Sequence, residues 1–528
     1  MKLPPSIFND VIGPVMRGPS SSHTAASVRI GNLSAGLLRD PVAEALIEFN
    51  TKGSLATTYR SQGSAIGLVA GFLGYDTKAS EIITAEDEAA KKGMRITFSI
   101  TDYEADHPNT YRISLKSTSG EIANLTAIST GGGMIEIIEI NGFPVSINGD
   151  FYETLLQQSS PLNQKSICVL QELEAKGLVD DVRISETAKG ALVDIKSMAP
   201  LSENIIDTIQ KHCEKAQIRW LRPVLPTLSR KNCTVPFLSA AEVIDAASKK
   251  QADLSELALL YESDRGACSK SEVWDKMASI VETMQTSIEL GLQGTTYEDR
   301  ILGPQSGKIQ EAFTAGKVIP CELINTVIAC TMAMMEVKSS MGVIVAAPTA
   351  GACAVLPGSI LGLAKVLHLT HEQCVKAMLA AGLIGVLIAE RSTFSAEICG
   401  CQAECGVGSG MAAAGIVQML NGNAEQAILA ASMSLQNVLG MVCDPVANRV
   451  EVPCLGKNIM AAFNAIASAN MALAGIDAVI PLDEVIQAMD AVGRSIPYEL
   501  RCTGYGGLSK TPTSKKIEHQ LIQKIKQF

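Results

Sequence analysis

Seven cysteines lie inside or beside the glycine-rich loops in the second half of the chain. Such loops let a backbone approach a ligand closely and present N–H groups to an anion, although each one alone is also typical of an ordinary helix connection. An iron–sulfur cluster needs thiolates at helix ends, because nearby donors offset the negative charge of cluster and sulfur. The loops are residues 339–342, 348–353, 395–410, 443–446 and 504–507, and the cysteines are Cys353, Cys399, Cys401, Cys405, Cys443, Cys454 and Cys502.

Spacing alone leaves two interpretations of these cysteines. Cys399, Cys401 and Cys405 match neither a ferredoxin spacing nor a zinc spacing. A single buried cysteine is often only a small hydrophobic side chain. Metal ligation and simple burial are therefore both open at this point.

A second group of reactive side chains lies near the N-terminus, in the run from Ser20 through Ser21, Ser22 and His23 to Thr24. Its hydroxyls are suited to hold a carboxylate or an ammonium group. They are also favoured at a helix N-terminus, so the run could cap a helix that begins near residue 25, and both roles are compatible. His107 precedes Pro108 and is either a residue of the active site or one that only supports the fold. The other histidines lie in polar helical stretches, where we expect surface positions: His212, His368, His371 and His519.

Composition limits the class of protein. Hydrophobic residues make up 47% of the 528 residues and aromatic residues only 4%, which favours closely packed helices built from small aliphatic side chains. The formal net charge of -10 argues against a nucleic-acid partner, because phosphate recognition needs a concentrated positive face. We therefore expect no nucleic-acid partner.

The expected compartment is the cytoplasm. The N-terminus lacks the long apolar core of a signal peptide. The 14 cysteines of the chain are therefore expected to be reduced thiols or metal ligands. No membrane span is expected either: prolines interrupt the uncharged run 339–364, and the apolar run 378–389 is too short to cross a bilayer.

The pattern of hydrophobic residues predicts an α+β domain, a ferredoxin-like segment and an all-α domain. Residues 1–145 show strands at 42–50, 94–100 and 111–115 and a helix at 64–73. Residues 146–226 follow a βαββαβ order that resembles an ACT domain, with a first strand at 143–147. A proline-containing linker at 227–238 leads to the all-α domain at 239–513, and 514–528 is a C-terminal helix or tail.

Several long motifs resemble the iron–sulfur-dependent L-serine dehydratases. In the C-terminal domain they are MGVIVAAPTAG (341–351), GCQAE (400–404), CDPVA (443–447), VEVPC (450–454) and PLDEVI (481–486), and in the N-terminal part GPSSSHT (18–24), GSLA (53–56), HPNT (107–110) and GGG (131–133). The resemblance covers most of the chain in a single fused order.

The resemblance implies a [4Fe-4S] cluster held by Cys401, Cys443 and Cys454, with one iron left open as a Lewis acid for the substrate hydroxyl. Elimination of water would then yield a 2-oxoacid and ammonia without pyridoxal phosphate, in amino-acid degradation and gluconeogenesis. A homo-oligomer is expected. The catalytic candidates are His23, His107 and Lys338, and the substrate-binding candidates are Ser20, Ser21, Ser22, Thr24, Asn109, Ser340, Thr349 and Gly351.

The chain departs from the family pattern near the presumed site. Gln62 stands where the family has the histidine thought to be the base, and an amide accepts no proton at neutral pH. Ala65 replaces an aspartate, Lys338 an asparagine and Cys502 a glutamate, while Cys399 and Cys405 are additions. The base must then come from another residue, for which the candidates are His23, His107, Tyr59 and Lys338.

These departures leave the substrate open. Dehydration of L-serine is the leading hypothesis. Cysteine desulfuration and dehydration of a larger hydroxy amino acid or a hydroxy acid are enzyme alternatives, and a non-catalytic iron–sulfur sensor is the contrasting one. For the ACT-like segment we expect a structural or dimerisation role.

Overall fold

The computed structural model describes residues 3–213 and 215–525. Its N-terminal part is a six-stranded sheet with helices on it, in the strand order β3-β2-β4-β5-β6-β7. Neighbouring strands are antiparallel except β2 and β3. The strands are β2 (Val42–Asn50), β3 (Arg95–Thr101), β4 (Thr110–Ser117), β5 (Ile122–Gly131), β6 (Met134–Ile140) and β7 (Phe143–Ile147), preceded by β1 (Val15–Arg17) outside this sheet; the helices are α1 (Ala26–Ala35), α2 (Leu55–Thr58), α3 (Ser64–Phe72) and α4 (Ala85–Lys91).

The contact between α1 and α3 depends on two glycines. A Cβ on Gly71 would lie 2.3 Å from the Val28 carbonyl oxygen, and a Cβ on Gly31 would lie 2.6 Å from that of Leu68. The two helix backbones therefore touch directly. Because α1 follows the serine-rich run, this contact holds the run against the segment that contains Gln62.

The middle part has the predicted βαββαβ order but begins later than expected. Its sheet, in the order β11-β8-β10-β9, is antiparallel. The strand at 143–147 belongs to the first sheet instead, because the turn at Asn141 and Gly142, both with positive φ, returns the chain along β6. The elements are β8 (Tyr152–Gln158), α5 (Gln164–Ala175), β9 (Asp181–Thr187), β10 (Gly190–Ser197), α6 (Glu203–His212) and β11 (Gln217–Leu221).

The C-terminal part is helical, as predicted, and its helix starts follow local capping rules. Ser239 caps α7 and Glu242 returns the bond to the cap backbone, the capping box expected from the sequence. The helices are α7 (Ala240–Lys250), α8 (Leu254–Gly266), α9 (Lys270–Gln293), α10 (Ser306–Thr314), α11 (Glu322–Ser339), α12 (Gly362–Leu367), α13 (His371–Arg391), α14 (Ala396–Cys399), α15 (Cys405–Met419), α16 (Ala424–Gln436), α17 (Glu451–Leu473), α18 (Leu482–Ser495) and α19 (Pro512–Ile525). Residues 526–528 of the predicted C-terminal segment lie outside the described residues.

One strand contradicts the prediction of a purely helical C-terminal domain. β12 (Val343–Val345) pairs antiparallel with β1, with Val15 opposite Val345. Its partner lies more than 300 residues away along the chain, so no local pattern reveals it. This two-stranded sheet brings the loop after β1 next to the loop after β12, and these two loops carry all the predicted substrate-binding residues except Asn109 and Ser340.

Two stretches are long and apolar enough to cross a membrane by length and composition, Ala350–Leu367 and His371–Arg391. The second is longer than the run of 378–389 that the sequence suggested. In both, about four fifths of the window is buried inside the protein, a feature of helices in a protein core. α15, which packs against α13, is buried along its whole length, and its small residues permit this close packing.

Candidate active site

The three predicted cluster ligands come from three separate elements that meet in the helical part. Cys401 begins a short 3-10 turn between α14 and α15, and Cys454 lies in the first turn of α17. Cys443 lies in extended backbone, where its N–H donates to the Leu500 carbonyl at 2.8 Å and its carbonyl accepts from the Cys502 N–H at 2.9 Å. Each thiol is at most 2% exposed.

The three thiol groups are in mutual contact through Cys401. Its Sγ hydrogen-bonds both Cys443 and Cys454, which holds the pKa of Cys401 well below its ordinary value and raises the pKa of each of the other two. The sulfurs of Cys401 and Cys443 lie within 4.8 Å of each other and of a carboxylate oxygen of Glu404. One proton-poor sulfur beside two further thiols is a donor set suited to a metal.

A lysine and an acid flank this centre. Lys457 Nζ lies 3.8 Å from Cys401 Sγ and donates to Asp444 Oδ1 at 2.8 Å; burial opposes its charge, but Cys401 and Asp444 raise its pKa. On the other side Glu404 Oε2 is 3.8 Å from Cys401 Sγ. Burial, together with the charges of Cys401 and Glu397, raises the pKa of Glu404 to about 8.

His23 is fully buried in the helical turn Ser21–Ala25, and its hydrogen bonds determine its tautomer. Thr58 Oγ1 donates its proton to the Ser54 carbonyl at 2.7 Å, so it accepts from His23 Nε2 at 2.9 Å. The other ring nitrogen, Nδ1, is then the proton acceptor and lies 3.0 Å from Ser20 Oγ. Burial lowers the pKa of His23 and a neighbouring carboxylate partly opposes the shift.

That carboxylate is Glu397, which joins the two halves of the chain. Its Oε1 is 3.8 Å from His23 Nδ1 and accepts from Ser22 Oγ at 3.2 Å, while its Oε2 accepts from Ser395 Oγ at 2.8 Å. Because its charge also acts on Glu404, the serine-rich run and the cysteine centre belong to one electrostatic site.

His107 and Asn109 form a second group near Glu397. The Asn109 N–H donates to His107 Nδ1 at 3.1 Å, so the neutral ring carries its proton on Nε2. Burial lowers the pKa of His107, while the charge of Glu397 opposes this. The Asn109 side chain is fully buried, and neither of its polar atoms has a hydrogen-bond partner among the described residues. Most buried side-chain polar atoms in proteins have a hydrogen-bond partner, so this amide is available to a ligand.

Lys338 is the third predicted catalytic residue and lies in the last turn of α11. It is 0% exposed, and its Nζ has no hydrogen-bond partner within the described part of the chain. Its charge acts on Cys353, Glu404 and Cys454, which places the ammonium group beside the cysteine centre.

The remaining predicted residues divide into those at the junction of the two loops and those elsewhere. Ser21 Oγ accepts from the Ala350 N–H at 3.1 Å, and Thr349 Oγ1 donates to Glu404 Oε1 at 2.7 Å. A Cβ on Gly351 would lie 2.7 Å from that same oxygen. Thr24 Oγ1 donates instead to the Gln62 carbonyl at 2.9 Å.

Ser340 and Tyr59 are engaged outside the cysteine centre. Ser340 Oγ accepts from Arg300 at 2.8 Å, and the Tyr59 ring packs against Phe49 and Phe98. Ser20 precedes the turn that carries His23, but its hydroxyl bonds the His23 ring rather than capping the backbone. Of the four histidines expected at the surface, His368, His371 and His519 are exposed and His212 is half-buried.

Three residues of the site were not predicted from the sequence. Glu397, Glu404 and Lys457 are all ionisable and lie at most four residues from a predicted cysteine ligand. A charged side chain inside an otherwise apolar, glycine-rich stretch is the signal that could have identified them, because burial of a charge demands a partner. Asn458 belongs to the same environment, since its Nδ2 donates to the Gly351 carbonyl at 2.7 Å and to the Cys454 carbonyl at 2.7 Å.

Known proteins resemble the chain over nearly its whole length. Residues 80–509 match the family model described as serine dehydratase alpha chain. The probable L-serine dehydratase alpha chain of Bacillus subtilis (strain 168) is 39% identical over 54% of this chain and 95% of its own length, and the probable beta chain of that organism is 35% identical over 39% of this chain and 93% of its own.

A single-chain relative spans both parts. The L-serine dehydratase of Helicobacter pylori (strain J99 / ATCC 700824) is 25% identical over 94% of this chain and 96% of its own length. The family model covers most of the chain and includes all three clustered cysteines and the acids beside them. The chain therefore belongs to the serine dehydratase family.

Proposed function

We propose that the chain is an L-serine dehydratase that converts L-serine to pyruvate and ammonia with a [4Fe-4S] cluster held by Cys401, Cys443 and Cys454. The observation that carries this proposal is the contact of three buried thiols from distant elements beside Glu397 and His23. Relatives named L-serine dehydratase support the same reaction.

The donor set fits such a cluster. Three thiols, a lysine that donates to Cys401 and an otherwise unpaired buried ammonium form an environment that stabilises an anionic group. When bound, the cluster supplies Lewis-acid chemistry at the β-hydroxyl of the substrate. Pyridoxal phosphate is not part of the proposal.

His23 is the proposed base for the α-proton. Its Nε2–H is fixed on Thr58, so Nδ1 is the unprotonated nitrogen, and its lone pair accepts from Ser20 and faces Glu397. A lowered pKa keeps this nitrogen unprotonated at neutral pH, as a base requires. After removal of the proton, Glu397 stabilises the imidazolium from 3.8 Å.

The substrate's charged groups have several candidate partners. The hydroxyls of Ser20 and Ser22 and the unpartnered amide of Asn109 are proposed to hold the carboxylate and ammonium. His107 can only donate from Nε2 while it is neutral, so its proposed role is to bind rather than to accept a proton. Ser21, Thr349 and Gly351 shape the wall that fixes Glu404.

The overall chemistry balances without an external reductant or oxidant. Loss of the α-proton and the β-hydroxyl as water leaves 2-aminoacrylate, which tautomerises to an imine. Addition of water to the imine then releases ammonia and pyruvate. The imine needs no protein group for hydrolysis, so the residues above are needed only for the elimination.

A substrate panel tests this function. Anaerobically purified protein would be supplied with L-serine, L-threonine, L-cysteine and a β-hydroxy acid, and the 2-oxoacid and ammonia released would be measured. We expect the highest kcat/KM with L-serine. Preference for L-cysteine, with sulfide release, or for the hydroxy acid would reassign the substrate. No turnover of any of them by protein with a full complement of iron would indicate a sensor rather than an enzyme.

We extend the proposal to the organisation of the chain. Residues 1–145 correspond to a beta part, 146–226 to an ACT-like domain with a structural or subunit-pairing role, 227–238 to a linker and 239–513 to the catalytic domain. The strand order β11-β8-β10-β9 supports the ACT-like assignment. A cytoplasmic homo-oligomer is proposed, and sedimentation equilibrium of the full chain tests the assembly: a monomer at all concentrations would contradict it.

A further inference from the structure

Among the described residues, Lys196, Lys338 and Lys457 are largely or almost completely buried, and of these three Lys338 alone has no hydrogen-bond partner there. Lys196 is paired with Glu153 at 2.7 Å and Asp194 at 3.2 Å. Lys457 is paired with Asp444 at 2.8 Å. Lys338, in the last turn of α11, is 0% exposed, and no group among the described residues accepts a hydrogen bond from its Nζ.

An isolated ammonium in a protein interior is strongly unfavourable unless an anion compensates it. The groups on which Lys338 acts electrostatically include Cys353, Glu404, Cys405 and Cys454. All of them line or adjoin the cysteine centre. The missing anion must therefore be one that binds at this centre.

We propose that Lys338 is the fixed counter-cation of the cysteine-bound cluster, an electrostatic partner that favours its retention and its reduced state. This inference rests on the proposed function, because it requires that the cysteines hold a cluster. A cluster with thiolate ligands carries a net negative charge. Lys338 directly precedes Ser339 and Ser340. The family motif that this segment resembles has a neutral asparagine at the position of Lys338, so the positive charge distinguishes this chain.

The test compares Lys338→Met with the wild type, both without metal and after anaerobic reconstitution with iron and sulfide. Metal-free Lys338→Met should melt at a higher temperature than the metal-free wild type, because the uncompensated charge is gone. In the reconstituted variant, iron should pass to a chelator roughly tenfold faster and the reduction potential should fall, since one nearby positive charge is lost.

Two further variants separate electrostatics from packing. Lys196→Met removes a buried lysine that is already paired and leaves Glu153 and Asp194 without it. It should lower the melting temperature with or without metal and leave the reduction potential unchanged. Lys338→Arg keeps the charge and should restore the potential and the iron retention toward those of the wild type.

The outcomes are distinct. Unchanged iron release and potential in Lys338→Met, with only KM for L-serine raised, would overturn the proposal in favour of a substrate anchor. A lower melting temperature of the metal-free variant would also overturn it. A wild type that takes up no iron would refute the proposed function itself, and the role of Lys338 with it, whereas a normal wild type and an unaffected variant would refute only the role of Lys338.

Discussion

The Gln62 side chain donates from Nε2 to the Cys502 thiol across 3.6 Å. From the resemblance of the sequence motifs, a histidine is expected at the position of Gln62 and a glutamate at that of Cys502. Cys502 in turn hydrogen-bonds Cys443. Two departures that look independent in the sequence are thus in contact with each other at the edge of the cysteine centre.

Gln62→Ala tests whether this contact takes part in proton transfer. Because an amide is no base and His23 has the unprotonated ring nitrogen, we expect the variant to keep kcat within about tenfold of the wild-type value. Steady-state production of pyruvate from L-serine measures it. A loss as large as that of a His23 variant would contradict the assignment of the base.

His23→Gln keeps a donor toward Thr58 but removes Nδ1. We expect kcat to fall by roughly 10²- to 10⁴-fold, the usual contribution of a positioned base, with iron content unchanged. His107→Asn is the matched control, because its amide oxygen can still accept from the Asn109 N–H. It should mainly raise KM, and a greater effect on kcat than that of His23→Gln would exchange the two roles.

Glu397→Gln should move the pH profile of kcat/KM. Burial lowers the pKa of His23 and the negative charge of Glu397 opposes this, so the acid limb lies below the ordinary histidine value of 6.5 and should shift to still lower pH in the variant. A profile from about pH 5 to about pH 8 detects the shift. Glu336→Gln, which changes a buried acid that binds the start of α10, should leave the limb in place.

Glu262 should make stability depend on pH. This fully buried acid accepts from Ser6 Oγ at 2.5 Å and the Ile7 N–H at 2.7 Å, and burial raises its pKa from 4.5 to about 7. A raised carboxyl pKa means that its contribution to stability is fully present below pH 4.5 and is lost as pH rises through about 7. Relative to the wild type, Glu262→Gln should gain about 3 kcal/mol in unfolding free energy over that range. Equal pH dependence of the two proteins in chemical denaturation would contradict this.

The sequence predicted what local patterns encode. The alternation of Val42 to Asn50 and the capping signal at Ser239 are local, and both elements formed where expected. The pairing of β1 with β12 depends on residues more than 300 positions apart, and the first strand of the middle sheet was misplaced because a tight turn at Asn141 competes with it.

The same limit applies to the site. The cysteine motifs predicted which thiols form the centre. That Glu397 contacts the serine-rich run and that Lys338 has no hydrogen-bond partner among the described residues depend on which side chains the fold brings together. Likewise, the tautomer of His23 follows from the proton of Thr58, which bonds Ser54. Thr58 lies outside the sequence motifs, and although Ser54 lies within GSLA, nothing in that motif indicates a contact with His23.

Iron, sulfide and pyruvate measured together on one set of cysteine variants test the central claim most directly. Anaerobically reconstituted wild type should hold about four iron and four sulfide ions per chain and release pyruvate from L-serine. Cys443→Ser and Cys454→Ser should lose both properties, whereas Cys374→Ser, which changes a buried thiol in α13 outside the centre, should keep both. Full iron content and undiminished pyruvate formation in Cys443→Ser and Cys454→Ser would contradict the account.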